Sequence, residues 1–199
     1  DQIKQARSKA LLEIVPIGQF VFLQAVKTLV AWQNTHRHGL RMAIDLSPRQ
    51  FRDPQLVSFI EKGLAEAKIP PQQIELEITE GVLMSGHAYI KRALNELHQL
   101  GIALSMDDFG TGYSSLSMLH DLPISTVKLD KSFVHGSHNG SKAIVQATQA
   151  ICDKLGLKVV AEGVETETQK DFLVDCGYQY LQGFLFSKPI RYTHLSASI

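Results

Sequence analysis

Ile74-Glu75-Leu76-Glu77-Ile78-Thr79-Glu80 alternates branched apolar residues with carboxylates. Alternation of this period predicts a strand. Glu77 lies between Leu76 and Ile78, and charge among apolar neighbours is costly unless it is paired or bound to a metal. The strand-like run Thr126–Leu129, followed by Asp130, poses the same problem with the opposite sign at Lys128. Outward from these two stretches, further strand-like runs stand at Met42–Ile44, Ile102–Met106, Leu157–Ala161 and Tyr180–Phe186. Helical periodicity separates them, over 10–33, 55–67, 87–100, 141–155 and 166–176, with a short helix near 114–121. His36-Arg37-His38-Gly39 stops the first helix and Pro70-Pro71 the second, while Gly101, Gly156 and Gly177 supply glycine stops for three others.

Strands alternating with helices imply a parallel sheet with right-handed crossovers. Two arrangements compete, a doubly wound open sheet and a (β/α) barrel. No glycine-rich dinucleotide signature follows the first strand. The polar residues then decide. Asp45, Glu77 with Glu80, Asp107-Asp108, Lys128 with Asp130, Glu162 with Glu165, and Gln182 all fall at the same end of their strands. In a barrel these ends converge on one face, where active sites are built. Helix N-capping explains any one acid after a strand. It does not explain Glu77 or Lys128, which sit inside apolar runs. The expected fold is therefore α/β, a (β/α) barrel.

The chain has 199 residues, 44% of them hydrophobic and 20% charged, which suits one globular domain. Twenty basic residues balance twenty acidic ones, so the basic excess of a generic DNA or RNA binder is missing. No uninterrupted run approaches the roughly 18 apolar residues of a membrane span, and the first residues lack the apolar core of a signal peptide. Cys152 and Cys176 are far apart and read as two buried thiols in a reducing cytoplasm.

Carboxylates without a Cys/His cluster suit a hard cation, Mg²⁺ or Mn²⁺. Adjacent Asp107 and Asp108 leave a strand end in different directions and could serve two ions, the arrangement that clamps attacking and leaving oxygens in phosphoryl transfer. Lys128, alone among the acids, could orient a water or offset transition-state charge.

Met106-Asp107-Asp108-Phe109-Gly110-Thr111-Gly112-Tyr113-Ser114-Ser115-Leu116 resembles a motif of the EAL domain, a bacterial phosphodiesterase domain acting on cyclic di-GMP. Asp45-Leu46-Ser47-Pro48-Arg49-Gln50-Phe51, Glu77-Ile78-Thr79-Glu80, Lys128-Leu129-Asp130-Lys131-Ser132-Phe133-Val134, Ala161-Glu162-Gly163-Val164-Glu165-Thr166 and Gln182-Gly183-Phe184-Leu185-Phe186 are similar to further family segments, in order, over about residues 10 to 190. The resemblance implies a TIM-like barrel of the EAL type and hydrolysis of cyclic di-GMP to linear pGpG. It makes Asp45, Glu77, Asp107, Asp108 and Glu162 ligands of two Mg²⁺ or Mn²⁺ ions. Lys128 would assist the nucleophilic water, Asp130 and Glu165 would support that lysine, and Gln182 would lie against the substrate. Glu80 would anchor the loop from Gly110 to Ser115, which the family uses to link metal binding with dimerisation. A homodimer through that loop and the helix near 141–155 is expected.

The sequence also departs from the family. Asp45 stands where the family has Asn, and no Glu-Ala-Leu tripeptide occurs. Two strands precede the first helix in family barrels, so six of the usual eight are expected here, in a domain over 1–199 that is incomplete at its N-terminus. The alternative is a degenerate member that binds cyclic di-GMP or a protein without hydrolysis. Among other residues, Trp32 reads as core, and His135 and His138 flank Gly136 in a polar surface loop. Gly110-Thr111-Gly112 reads either as a mobile loop or as a phosphate cradle.

Overall fold

A computed structural model describes residues 2–33, 39–112, 116–136 and 139–191. The chain divides into two compact units, Asp1–Ser105 and Met106–Ile199.

The first unit opens on α1 (Gln2–Gln33) and continues through β1 (Met42–Asp45), α2 (Leu56–Ala67), β2 (Ile74–Thr79), α3 (Glu80–Leu83) and α4 (Ala88–Gln99) into the start of β3 (Ala103–Phe109). The strand order there is β1-β2-β3. β1 and β2 run parallel, with Asp45 opposite Glu77. Alternation in β2 works as its pattern requires: Ile74, Leu76 and Ile78 are at most 1% exposed, while Glu75 and Glu77 are half-buried. Phe22, Val26 and Leu29 of α1 are buried, and Phe22 meets Phe59 of α2 edge-on at 5.8 Å. α2 stops at Lys68, whose φ of 55° takes the left-handed turn while Ile69 N–H donates back to Leu64 O at 3.0 Å.

The second unit holds the end of β3, then α5 (Leu116–Asp121), β4 (Thr126–Leu129), α6 (Lys131–His135), α7 (Asn139–Leu155), β5 (Lys158–Ala161), α8 (Glu167–Asp175) and β6 (Tyr180–Leu181). Its strand order is β3-β4-β5-β6. β5 runs parallel to both β4 and β6, with Lys128 opposite Val160 and Ala161 opposite Leu181. β4 is buried at all four positions, as a strand covered on both faces must be. β4 packs against α7 and β5, and Val145, Cys152 and Val159 of those elements are each at most 4% exposed. α8 begins with a capping box, Thr166 accepting from Gln169 N–H while the Gln169 side chain accepts from Thr166 N–H.

Six strands alternating with helices and paired in parallel give the α/β class expected from the sequence. Several details differ. β6 ends at Leu181 rather than Phe186, because the chain turns at Gly183: Leu185 N–H donates to Val164 O at 3.0 Å and Phe186 N–H to Gly183 O at 3.1 Å. α1 is already helical at Gln2, and β3 runs on to Phe109, so Asp107 and Asp108 belong to the strand itself. Trp32 and Cys176 are half-buried rather than core, Trp32 near the end of α1 and Cys176 at the cap of α8. Ile14–Gln33 within α1 reaches a mean hydropathy of 1.6, long and apolar enough by composition to cross a membrane, which reading uninterrupted runs had missed. Only 17% of its most apolar window is buried: Phe22, Val26 and Leu29 face inward, while Ile17, Phe20, Val21 and Leu23 are exposed. The stop at His36–His38, the loop residues Tyr113–Ser115, and His138 lie outside the described residues.

Candidate active site

In the second unit the end of β3 places two carboxylates side by side. Asp108 holds φ at 55°, a left-handed conformation that a short polar residue tolerates better than most. Thr111 stabilises that turn, its N–H and its hydroxyl both donating to Asp108 O, at 3.2 and 2.8 Å. The twist at Asp108 gives the two adjacent carboxylates different exits from the strand.

Lys128 comes from the middle of β4 and is 6% exposed. Its Nζ lies 2.7 Å from Glu162 Oε1, at the loop after β5, and 3.5 Å from Asp107 Oδ1. The first is a hydrogen-bonded ion pair and the second a looser charge contact. Asp107 Oδ1 is buried and accepts no hydrogen bond among the described residues. Burial pushes the Glu162 carboxyl above its ordinary value. Lys128 opposes that shift, while the charges of Asp107 and Asp108 add to it. Two acids, Asp107 and Glu162, meet one buried lysine, which leaves negative charge in excess. A buried acceptor without a hydrogen bond calls for an added cation.

The other predicted residues of this unit have clear local tasks. Asp130 caps α6, its Oδ1 accepting from Ser132 N–H at 3.0 Å. Glu165 is 48% exposed, with Oε1 4.0 Å from His135 Nε2. Gln182 exposes its side chain while its backbone is fixed, N–H to Ala161 O at 2.9 Å and O from Val164 N–H at 3.0 Å.

In the first unit, Asp45 and Glu77 meet across the β1–β2 pair, with carboxylate oxygens within 4.8 Å of each other. Glu80 follows at the start of α3 and is only 1% exposed. Every donor in the predicted ligand set is a carboxylate oxygen. That chemistry, and the buried Asp107 Oδ1 without a hydrogen bond, fit Mg²⁺ or Mn²⁺ rather than a softer metal.

His135 was read with His138 as part of a polar surface loop around Gly136, whereas it is the last residue of α6. Its Nε2 lies 2.6 Å from Gly163 O. Asp130 followed by Phe133-Val134 is the signal that marks the helix: an N-cap residue, then apolar residues in the first turn.

The family model for the EAL domain matches residues 8–189. The chain is 42% identical over 179 residues to the signaling protein YkoW of Bacillus subtilis, covering 89% of this chain and 22% of that protein. It is 37% identical to the cyclic di-GMP phosphodiesterase PdeR of Escherichia coli, covering 96% of this chain and 29% of that one. It therefore spans less than a third of these relatives. Among solved structures, the PaMucR phosphodiesterase in complex with c-di-GMP superposes with a TM-score of 0.89 at 36% identity, over 97% of this chain and 78% of that one. The manganese/cy-diGMP complex of Klebsiella pneumoniae BlrP1 superposes with a TM-score of 0.76 at 31% identity, over 86% of this chain and 45% of that one.

Proposed function

The chain belongs to the EAL domain family, and from that membership we propose that it hydrolyses cyclic di-GMP to linear pGpG with two bound Mg²⁺ or Mn²⁺ ions. The observation that carries the reading is Lys128, buried between Glu162 and Asp107, beside a buried carboxylate oxygen that accepts no hydrogen bond. Asp45, Glu77, Asp107, Asp108 and Glu162 hold the ions in this proposal. When bound, such ions polarise a phosphoryl oxygen and lower the pKa of water.

The chain's own residues do the rest. A water oxygen attacks one phosphorus, the bond from that phosphorus to the 3′ oxygen breaks, and the leaving oxygen gains a proton. Lys128 orients the water through its ammonium protons and offsets the charge that grows on the phosphoryl oxygens. The Glu162 carboxyl, paired to Lys128, holds that ammonium in place. Asp130 supports the lysine from the next turn by fixing the start of α6, and Glu165 from the loop beyond Glu162. Gln182 contacts the substrate, and Glu80 anchors the loop after Gly110.

The domain works as a homodimer in this reading, through the 110–116 loop and α7, whose Ile144 is 39% exposed. Two free cysteines suit a cytoplasmic setting. A second reading, a cyclic di-GMP receptor without turnover, is favoured by Asp45. It sets a second carboxylate opposite Glu77 where the family has an amide. Chromatography of cyclic di-GMP incubated with the protein and Mn²⁺ separates the two. Release of pGpG supports the enzyme, and binding with no pGpG at any metal concentration supports the receptor.

A further inference from the structure

We propose that His135 is a positioning residue that fixes the loop carrying Glu162. Its catalytic consequence rests on the phosphodiesterase reading, while its geometry does not.

The loop from Glu162 to Glu165 is held by its backbone. Glu162 N–H donates to Leu129 O at 3.2 Å, Val164 N–H to Gln182 O at 3.0 Å, and Val164 O accepts from Leu185 N–H at 3.0 Å. Those bonds tie it to β4 on one side and to the turn after β6 on the other. Gly163 O differs, because a side chain satisfies it: His135 Nε2 at 2.6 Å. A carbonyl only accepts, so Nε2 carries the proton and the tautomer is set.

α6 lies directly on this loop. Gly163 has φ of +69°, and a Cβ there would collide with Cβ of Lys131 and reach within 3.3 Å of His135 Nε2. Glycine is therefore required at 163 both by conformation and by the approach of α6. The helix is pinned at both ends, by the Asp130 cap at its start and by His135 at its last residue. Glu165 Oε1 also lies near the ring, 4.0 Å from the same nitrogen.

Glu162 immediately precedes Gly163, and its carboxylate holds Lys128 at 2.7 Å. Loss of the His135 bond leaves the Gly163 carbonyl to water and unties the turn that aims Glu162 from α6. A misplacement of about 1 Å near the chemistry can cost on the order of 10²-fold in rate. The His135 contact is one of several on the loop, so the expected loss is smaller.

The test compares His135→Ala with His135→Gln, whose amide nitrogen reaches the position of Nε2. Amide hydrogen exchange over 162–166 is expected to accelerate in H135A and to stay near wild type in H135Q, with thermal midpoints confirming that both fold. In the pGpG assay, H135A is expected to lose about tenfold in kcat with KM within about twofold, and H135Q to recover most of it. Unchanged exchange in H135A overturns the proposal. So does a kcat loss that H135Q fails to restore while its loop stays protected. Should the wild-type protein release no pGpG, the enzyme reading fails by itself and exchange alone decides the role of His135.

Discussion

Lys128 keeps its ammonium among Val127 and Leu129 because Glu162 and Asp107 meet it there. Removal by Lys128→Ala is expected to lower kcat by about 10²-fold or more, the scale of an electrostatic helper. Mn²⁺ affinity, measured by calorimetry, should hold or improve, since an ammonium is no ligand and competes with a cation for Asp107. A matching fall in metal affinity would make the role structural. Asp108→Asn is a separate case. Asn tolerates the φ of 55° as well as Asp does, so thermal stability should change little while turnover falls sharply. At this scale the sequence was informative where charge sat inside apolar runs, as at Glu77 and Lys128. It was silent on His135, whose hydrogen bond joins residues 28 positions apart and follows no local pattern.

Among the elements, β4 could be read to the residue, Thr126–Leu129, because every position is buried and Val127 and Leu129 flank the single charge of Lys128. β6 was overrun because Phe184 and Phe186 suit a strand, while the turn is imposed by Gly183 lying against the Val164 backbone. Gly183→Ala would drive a Cβ into that backbone and is expected to lower the thermal midpoint by several degrees. α7 and the turn after α8 share a buried contact, Tyr178 hydroxyl donating to Val145 O at 2.9 Å. Burial pushes the neighbouring Cys152 thiol from 9.0 up to about 11 and raises Tyr178 as well. Both groups stay protonated when folded, whereas the unfolded chain sheds the thiol proton above pH 9.0. The thiol's contribution is therefore complete below about pH 9 and lost as pH rises through about 11. Thermal melts from pH 8 to 11 should show this fall, and Cys152→Ala should flatten it. A midpoint independent of pH over that window would contradict the burial argument.

For the whole molecule, strand–helix alternation and the placement of acids at strand ends gave the α/β class. The division into two compact units was not legible, since it falls inside β3 and no change of composition marks it. If the proposed ions bind at the strand-end carboxylates, stability is expected to depend on metal. Mg²⁺ or Mn²⁺ binding only the folded chain at about 100 times its Kd adds about 2.7 kcal/mol, visible as a higher thermal midpoint. Metal-assisted hydrolysis is tested most directly by pGpG release from cyclic di-GMP with and without EDTA. Metal-assisted hydrolysis predicts that EDTA abolishes release and that excess Mn²⁺ restores it. Release that continues undiminished in EDTA would contradict it.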